Sequence, residues 1–124
     1  MMPPMQRTML QAKLHRVKVT EADLHYEGSC GIDRALLDAS GLLPGQYIEL
    51  YNIDNGERFS TYVIEAARDS GTISLNGAAA RKAAVGDRLI ICAYSLYEES
   101  EMAAYKARVI LVDEDNRPRP KVRA

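Results

Sequence analysis

Gln46-Tyr47-Ile48-Glu49-Leu50-Tyr51-Asn52-Ile53-Asp54-Asn55-Gly56-Glu57-Arg58-Phe59-Ser60-Thr61-Tyr62-Val63-Ile64-Glu65-Ala66 is the stretch whose reading decides the fold class. Two runs rich in β-branched and aromatic residues, 46 to 53 and 59 to 66, flank Asp54-Asn55-Gly56, whose residues tolerate positive φ. That combination predicts a β-hairpin. Further on, Asp69-Ser70-Gly71 turns the chain again, Thr72 to Leu75 reads as a short strand, and Val85-Gly86-Asp87 is another turn. Arg88 to Tyr97 is an apolar run long enough for a central strand, and Arg108 to Val112 supplies a last one. Helix is scarcer. Ile32, Leu36 and Leu37 recur at helical spacing behind Asp33, with Gly41 as a stop, and a second short helix is expected within Glu98 to Lys106. The fold class is therefore mainly β with short connecting helices. Strands this short and numerous favour a barrel, because closing the sheet removes unpaired edges. Periodicity does not say which barrel.

The 124 residues suit one domain, able to bury roughly two-thirds of the surface of its unfolded chain. The 16 basic and 17 acidic residues are interspersed, so no long-range field gathers nucleic acid or anionic lipid, and neither is expected as a partner. No apolar run approaches a membrane span, and Met1 to Arg7 lacks the apolar stretch of a signal peptide, so a cytoplasmic location is expected. Cys30 and Cys92 fit no paired metal-ligand spacing and read as reduced, buried thiols. Asp113 to Ala124 combines charges with Pro118 and Pro120 and is expected to form a flexible tail, or to dock on a neighbour.

The segment with the oddest chemistry is His25-Tyr26-Glu27-Gly28-Ser29-Cys30. Taken alone, it reads most simply as a loop in which Ser29 or Asp33 caps a helix. A strained turn that pressed the Ser29 hydroxyl against the Gly28 carbonyl would allow something more. Attack would shift the acyl group from nitrogen to oxygen, and loss of the Ser29 α-proton would expel Gly28 as a carboxylate. Dehydroalanine would remain at residue 29, and its hydrolysis would release ammonia and leave a pyruvoyl group. Gly28 suits such a step because it lacks a Cβ, which permits unusual backbone conformations and leaves its carbonyl open.

Further motifs are Arg7-Thr8-Met9-Leu10, Lys13-Leu14-His15-Arg16, Leu24 to Ser29, Asn55 to Tyr62, Asn76-Gly77-Ala78-Ala79-Ala80 and Val85-Gly86-Asp87. In this order and spacing, spanning about residues 7 to 95, the chain resembles the bacterial pyruvoyl-dependent aspartate 1-decarboxylases. The resemblance implies a double-psi β-barrel and a homotetramer with active sites between subunits. It also implies one domain over residues 1–124, self-cleaved between Gly28 and Ser29 into a small β chain (1–28) and a larger α chain (29–124). Cleavage is either spontaneous or assisted by a maturation factor. The implied reaction is decarboxylation of L-aspartate to β-alanine and CO2 for pantothenate biosynthesis. It runs through a Schiff base on the pyruvoyl group derived from Ser29, with neither pyridoxal phosphate nor a metal.

Aspartate's two carboxylates call for two cationic groups, and Lys13 and Arg58 are the candidates, Arg58 through its planar fork. The resemblance makes Tyr62 the proton donor and gives Thr61 roles in processing and substrate contact. A phenol keeps its proton at neutral pH, which suits an acid. A regular strand would nevertheless send Thr61 and Tyr62 to opposite faces. Gly77, Ala78 and Ala79 can contribute only backbone N–H groups at the start of a short helix, suited to a carboxylate. The resemblance gives Gly28, Ser29, Thr61 and Asn76 as the processing set, with Asn76 reading equally well as a turn residue; His15, which reads equally well as a structural histidine, and Tyr26 are further candidates. Tyr47, Tyr51, Tyr94, Tyr97 and Tyr105 read as ordinary core or interface tyrosines. Two other functions fit the same residues: a small-molecule-binding barrel that never cuts itself, and a pyruvoyl decarboxylase for another amino acid. Either would leave Gly28-Ser29 or the two cations with a different use.

Overall fold

A computed structural model describes residues 5–119. The strands are β1 (Gln6–Lys18), β2 (Glu21–Asp23), β3 (Ser29–Asp33), β4 (Tyr47–Asn52), β5 (Arg58–Ala66), β6 (Ile73–Asn76), β7 (Arg88–Glu98), β8 (Arg108–Val112) and β9 (Pro118–Arg119). One α-helix, α1 (Arg34–Ser40), and two 3-10 helices, Gly77–Arg81 and Glu99–Ala104, connect them. Hydrogen-bonded neighbours run β2-β6-β3-β5-β4-β7-β1-β8-β9. Because β2 is the continuation of β1, the two ends of the β2-to-β1 series belong to one stretch of chain, and the sheet closes on itself. Thr20 makes the join: its N–H donates to the Ile73 carbonyl (2.8 Å) and its Oγ1 accepts from the Ile73 N–H (2.9 Å). Six strand positions therefore form the ring, with β8 and β9 appended. Parallel pairs β3–β5 and β2–β6 alternate with antiparallel ones, and the fold is the expected double-psi β-barrel with short connecting helices.

Alternation along each strand defines an inside and an outside. Leu14, Ile91, Leu50 and Phe59 lie in one cross-strand row, and Ile48, Val63, Cys30, Leu75, Ile32 and Ile73 continue the interior; all but Phe59 are fully buried. Each such Leu or Ile side chain contributes about 2 kcal/mol by leaving water. Asp33 starts α1 and shows why an acidic residue is buried there. Its carboxylate accepts from the N–H groups of Ala35 (2.8 Å), Asp69 (2.9 Å) and Gly71 (2.8 Å), capping the helix and fixing the next turn. Gly41 ends the helix with φ at 79°.

Three local features differ from the sequence reading. Residues 6–18 form the longest strand, bent by irregularities at Gln11 and at Arg16, where φ is +67°. The helix expected within Glu98 to Lys106 is a single 3-10 stretch, Glu99–Ala104. The segment expected to be a flexible tail is hydrogen-bonded in place as far as Arg119, while residues 120–124 lie outside the described residues. The cause is Asn116, which is 1% exposed. It accepts from the Lys18 N–H (2.7 Å) and donates to the carbonyls of Lys18 and Gly71 (2.8 Å each), and β9 then pairs with β8. Polar composition hid this, because the segment is held by backbone groups that a single amide satisfies.

Replacing that amide leaves three backbone groups, one buried and two partly buried, without their partner. Asn116→Ala is expected to lower unfolding stability by about 2 kcal/mol in urea denaturation. A change below about 0.5 kcal/mol would mean that water takes over the amide's bonds.

Candidate active site

Ser29 begins β3 and is 0% exposed, with Asn76 directly opposite it on β6. Its hydroxyl donates to the Glu27 carbonyl (3.1 Å) and accepts from Asn76 Nδ2 (3.0 Å). The oxygen therefore sits at a defined point beside the peptide link that joins it to Gly28. The 3-10 helix Gly77–Arg81 follows Asn76 immediately, so its first residue is pressed against the same loop. Gly77 has φ at +68°, and a Cβ there would fall 2.8 Å from both Cα and N of Gly28 and 3.0 Å from the Tyr26 carbonyl oxygen. Glycine is required at 77 by conformation and by contact alike.

Gly28 behaves differently from expectation. It is not among the positive-φ glycines, and a Cβ there would meet nothing within 4 Å. The close approach is made possible by the missing side chain of Gly77, so Gly28 owes nothing to an unusual φ in the folded chain.

Lys13, His15, Arg58 and Tyr62 fall on the outer face of the barrel. Ala12 and Leu14 are buried in the core, so Lys13 and His15 point outward. Across the sheet, Lys13 is registered with Cys92, Cys92 with Glu49 and Glu49 with Ser60; His15 is registered with Ile90, Ile90 with Tyr51 and Tyr51 with Arg58. Tyr62 follows two residues after Ser60 on the same side, against Tyr47 on β4. It also directly precedes Val63, which is registered with Cys30, so by alternation Ser29, Asn76 and Tyr62 share that outer side. Thr61 lies opposite Ile48 on the inner side, and the β4–β5 register has no irregularity to redirect it. The expected separation of Thr61 from Tyr62 is present. Ala78 is exposed and Ala79 buried, behind Gly77 on the 3-10 helix. Tyr26, in the loop before Gly28, is 57% exposed.

Among the described residues, neither Lys13 nor Arg58 has an ion pair. Arg58 lies over the ring of Tyr51, its guanidinium carbon 4.1 Å from the centroid. Burial pushes the Cys92 thiol up, while Tyr94, Lys13 and Arg58 pull it down and Glu49 raises it, so these groups converge on one spot. Cys30 has no such neighbours, and burial alone raises its thiol to about 12, which leaves it unreactive. Both cysteines are free, as expected. Sequence reading missed Glu49, Tyr51, Cys92 and Tyr94. Period-two spacing put 49 with 51 and 92 with 94, but only the cross-strand register brings both pairs to Lys13 and Arg58.

His15 Nδ1 is buried without a hydrogen-bond partner among the described residues. Burial first, then the charges of Lys13 and Arg16, hold the imidazole below its ordinary 6.5. The folded protein thus binds fewer protons here than the unfolded chain, and stability falls as the pH drops through 6.5. NMR titration is expected to give His15 a midpoint below 6.5; one above it would require an anion beside the ring. A second expectation is steric. Gly77→Ala should lower the melting temperature markedly while Gly28→Ala leaves it nearly unchanged, and equal losses would refute the packing described for Gly77.

Among the described residues, no three His, Cys, Asp or Glu side chains cluster to hold a metal, and no helix is long and apolar enough to cross a membrane. The family model described as "Aspartate decarboxylase" matches residues 5–119. Proteins named aspartate 1-decarboxylase are similar over most of the chain. The one from Bordetella pertussis is 68% identical, covering 91% of this chain and 93% of its own. Those from Cupriavidus necator and Herminiimonas arsenicoxydans are 65% and 63% identical, each covering 90% of this chain and 93% and 94% of their own. Among solved structures, the rationally designed protein mkDPBB_sym_86 overlaps with a TM-score of 0.47 at 21% identity, over 62% of this chain and 90% of that one.

Proposed function

Since the chain belongs to the aspartate decarboxylase family, we propose that it removes the α-carboxylate of L-aspartate as CO2. The product is β-alanine for pantothenate and coenzyme A biosynthesis in the cytoplasm, and the carbonyl that catalyses its formation is made from Ser29. The observation that carries this is the Ser29 hydroxyl held between the Glu27 carbonyl and the Asn76 amide, next to Gly28.

In processing, Ser29 Oγ forms a bond to the Gly28 carbonyl carbon. Collapse breaks the Gly28–Ser29 C–N bond, the hydroxyl proton ending on the freed nitrogen. Asn76 keeps Oγ aimed, and Gly77 leaves room for the loop to press in. Loss of the Ser29 α-proton then expels the Gly28 carboxylate, and water replaces the nitrogen as ammonia. Thr61, on the adjacent strand but facing the inner side, would have to turn towards Oγ to take the processing and substrate-contact roles that the family resemblance implies for it. The residues fit the group, because a buried small side chain opposite an amide donor is what a ketone oxygen at position 29 would need. Once formed, the pyruvoyl group captures the substrate amine and supplies an electron sink for the departing CO2.

The remaining residues bind and protonate. Lys13 and Arg58, cations without carboxylate partners among the described residues, take the substrate carboxylates, Arg58 by its bidentate fork. Backbone N–H groups of Gly77, Ala78 and Ala79 add donors, and Tyr62 on the same outer face as Ser29 returns a proton to the α-carbon. His15 and Tyr26 line the approach. An open sheet face cannot exclude water, yet Tyr26 (57% exposed), Tyr47 (60%), Tyr62 (40%) and Tyr94 (41%) leave large apolar area uncovered around it. A homotetramer that covers this face between subunits would bury those rings and close the site.

Reduction with borohydride during turnover of labelled L-aspartate should fix label on residue 29. Arg58→Ala should reduce kcat/KM for aspartate by roughly 10- to 150-fold, the scale of one lost charge-assisted pair. No label at residue 29 would sink the pyruvoyl assignment. Undiminished aspartate turnover by Arg58→Ala, or faster turnover of another amino acid, would sink the substrate assignment.

A further inference from the structure

We propose that Tyr51 is a positioning residue that keeps the substrate's carboxylate seat empty, its ring holding Arg58 and its hydroxyl tying back the protein's own Glu49 carboxylate. This rests on the reading that Arg58 and Lys13 receive a substrate carboxylate.

The site has a built-in competitor. Glu49 points to the same outer face as the two cations, with Lys13 and Glu49 registered on either side of Cys92. Neighbouring strands are only about 5 Å apart, so both long side chains can span the gap between them. Arg58 is closer still, on the strand paired with β4, two residues from the partner of Glu49. A carboxylate this near to two cations that have no ion pair among the described residues is expected to fold onto one of them, as Glu57 does onto Lys82 (3.0 Å) and Glu65 onto Arg34 (2.7 Å). Glu49 does neither. It accepts instead from the Tyr51 hydroxyl (3.0 Å), which lies 3.0 Å from the Tyr94 hydroxyl. Since the Tyr51 proton is committed to Glu49, Tyr94 is the donor in the second bond. The two phenols form a relay that ends on the carboxylate, and burial together with those two partners holds Tyr51 in its protonated, donating form.

Tyr51 thereby does two things from one position. Cross-strand pairing sets its ring under the Arg58 guanidinium, which keeps the donor fork extended over an apolar surface. Alternation along β4 sets its hydroxyl beside Glu49, two residues earlier on the same side. Tyr51→Phe separates the functions, because the ring stays and only the hydroxyl is lost. Freed, Glu49 becomes an internal carboxylate that must be displaced before substrate binds.

Steady-state kinetics on L-aspartate, normalised to the cleaved protein seen by mass spectrometry, test this. Tyr51→Phe is expected to raise KM about three- to fivefold, the range of a single partly exposed ion pair, and to alter kcat less than KM. Adding Glu49→Gln to it should return KM to within about twofold of the parent, because the amide no longer competes. If Tyr51→Phe fails to fold, Tyr94→Phe weakens the tether through the outer bond of the relay while leaving the Tyr51–Glu49 bond in place, and a smaller rise in KM, again reversed by Glu49→Gln, is expected. An unchanged KM in the phenylalanine variant, or a raised KM that Glu49→Gln does not reverse, would overturn the proposal. Arg58→Ala measured alongside distinguishes the two levels. If it leaves aspartate kinetics intact, the carboxylate seat itself is misplaced; if it impairs them while Tyr51→Phe is silent, only the role of Tyr51 fails.

Discussion

One hydroxyl group bridges two neighbours, and most of the rest of this molecule serves to keep it there. Ser29 Oγ is buried between the Glu27 carbonyl and the Asn76 amide. A free serine hydroxyl rotates and bonds to water; this one has a single orientation, set by the β3–β6 register that puts Asn76 opposite it. That register in turn depends on closure of the barrel at Thr20, because β6 is gripped by β3 on one side and by β2 on the other. The chain thus holds the Ser29 loop with the same ladder that completes its core.

The closed ring also sorts the side chains. Apolar residues occupy the inward positions apart from Thr61, which leaves the outward positions of β1, β4, β5 and β7 to carry polar chemistry on one continuous surface. Lys13, His15, Glu49, Tyr51, Arg58, Tyr62 and Cys92 all reach that surface by simple alternation. Among the described residues the cations Lys13 and Arg58 there have no ion-pair partner, and Tyr47, Tyr62 and Tyr94 are exposed beside them. Both features are what the proposed substrate seat and the proposed covering subunit would use.

Much of this was legible in the residues. The Gln46 to Ala66 hairpin, the Asp33 cap, the Gly41 stop and the Arg88 to Tyr97 strand were readable because each rests on local chemistry: turn tolerance, side-chain capping and period-two burial. The candidate site was legible only through the resemblance, since a Gly-Ser pair in a loop has no local signature of reactivity. What escaped was long-range. The docking of Asn116 on Lys18 and Gly71 joins residues 98 and 45 positions apart, and a polar segment gives no hint of it. The Glu49–Tyr51–Tyr94 relay needs the order of four strands, which periodicity does not contain. Gly28 was credited with a conformational freedom that belongs to Gly77, because sequence shows where a glycine stands and not which of two touching glycines must be one.

Denaturing mass spectrometry of the mature protein reads the central event directly. Two fragments are expected, residues 1–28 with a free carboxylate and residues 29–124 beginning with a ketoacyl group, while Ser29→Ala stays whole. An active enzyme that remained a single chain of 124 residues with its serine intact would contradict the mechanism at its root.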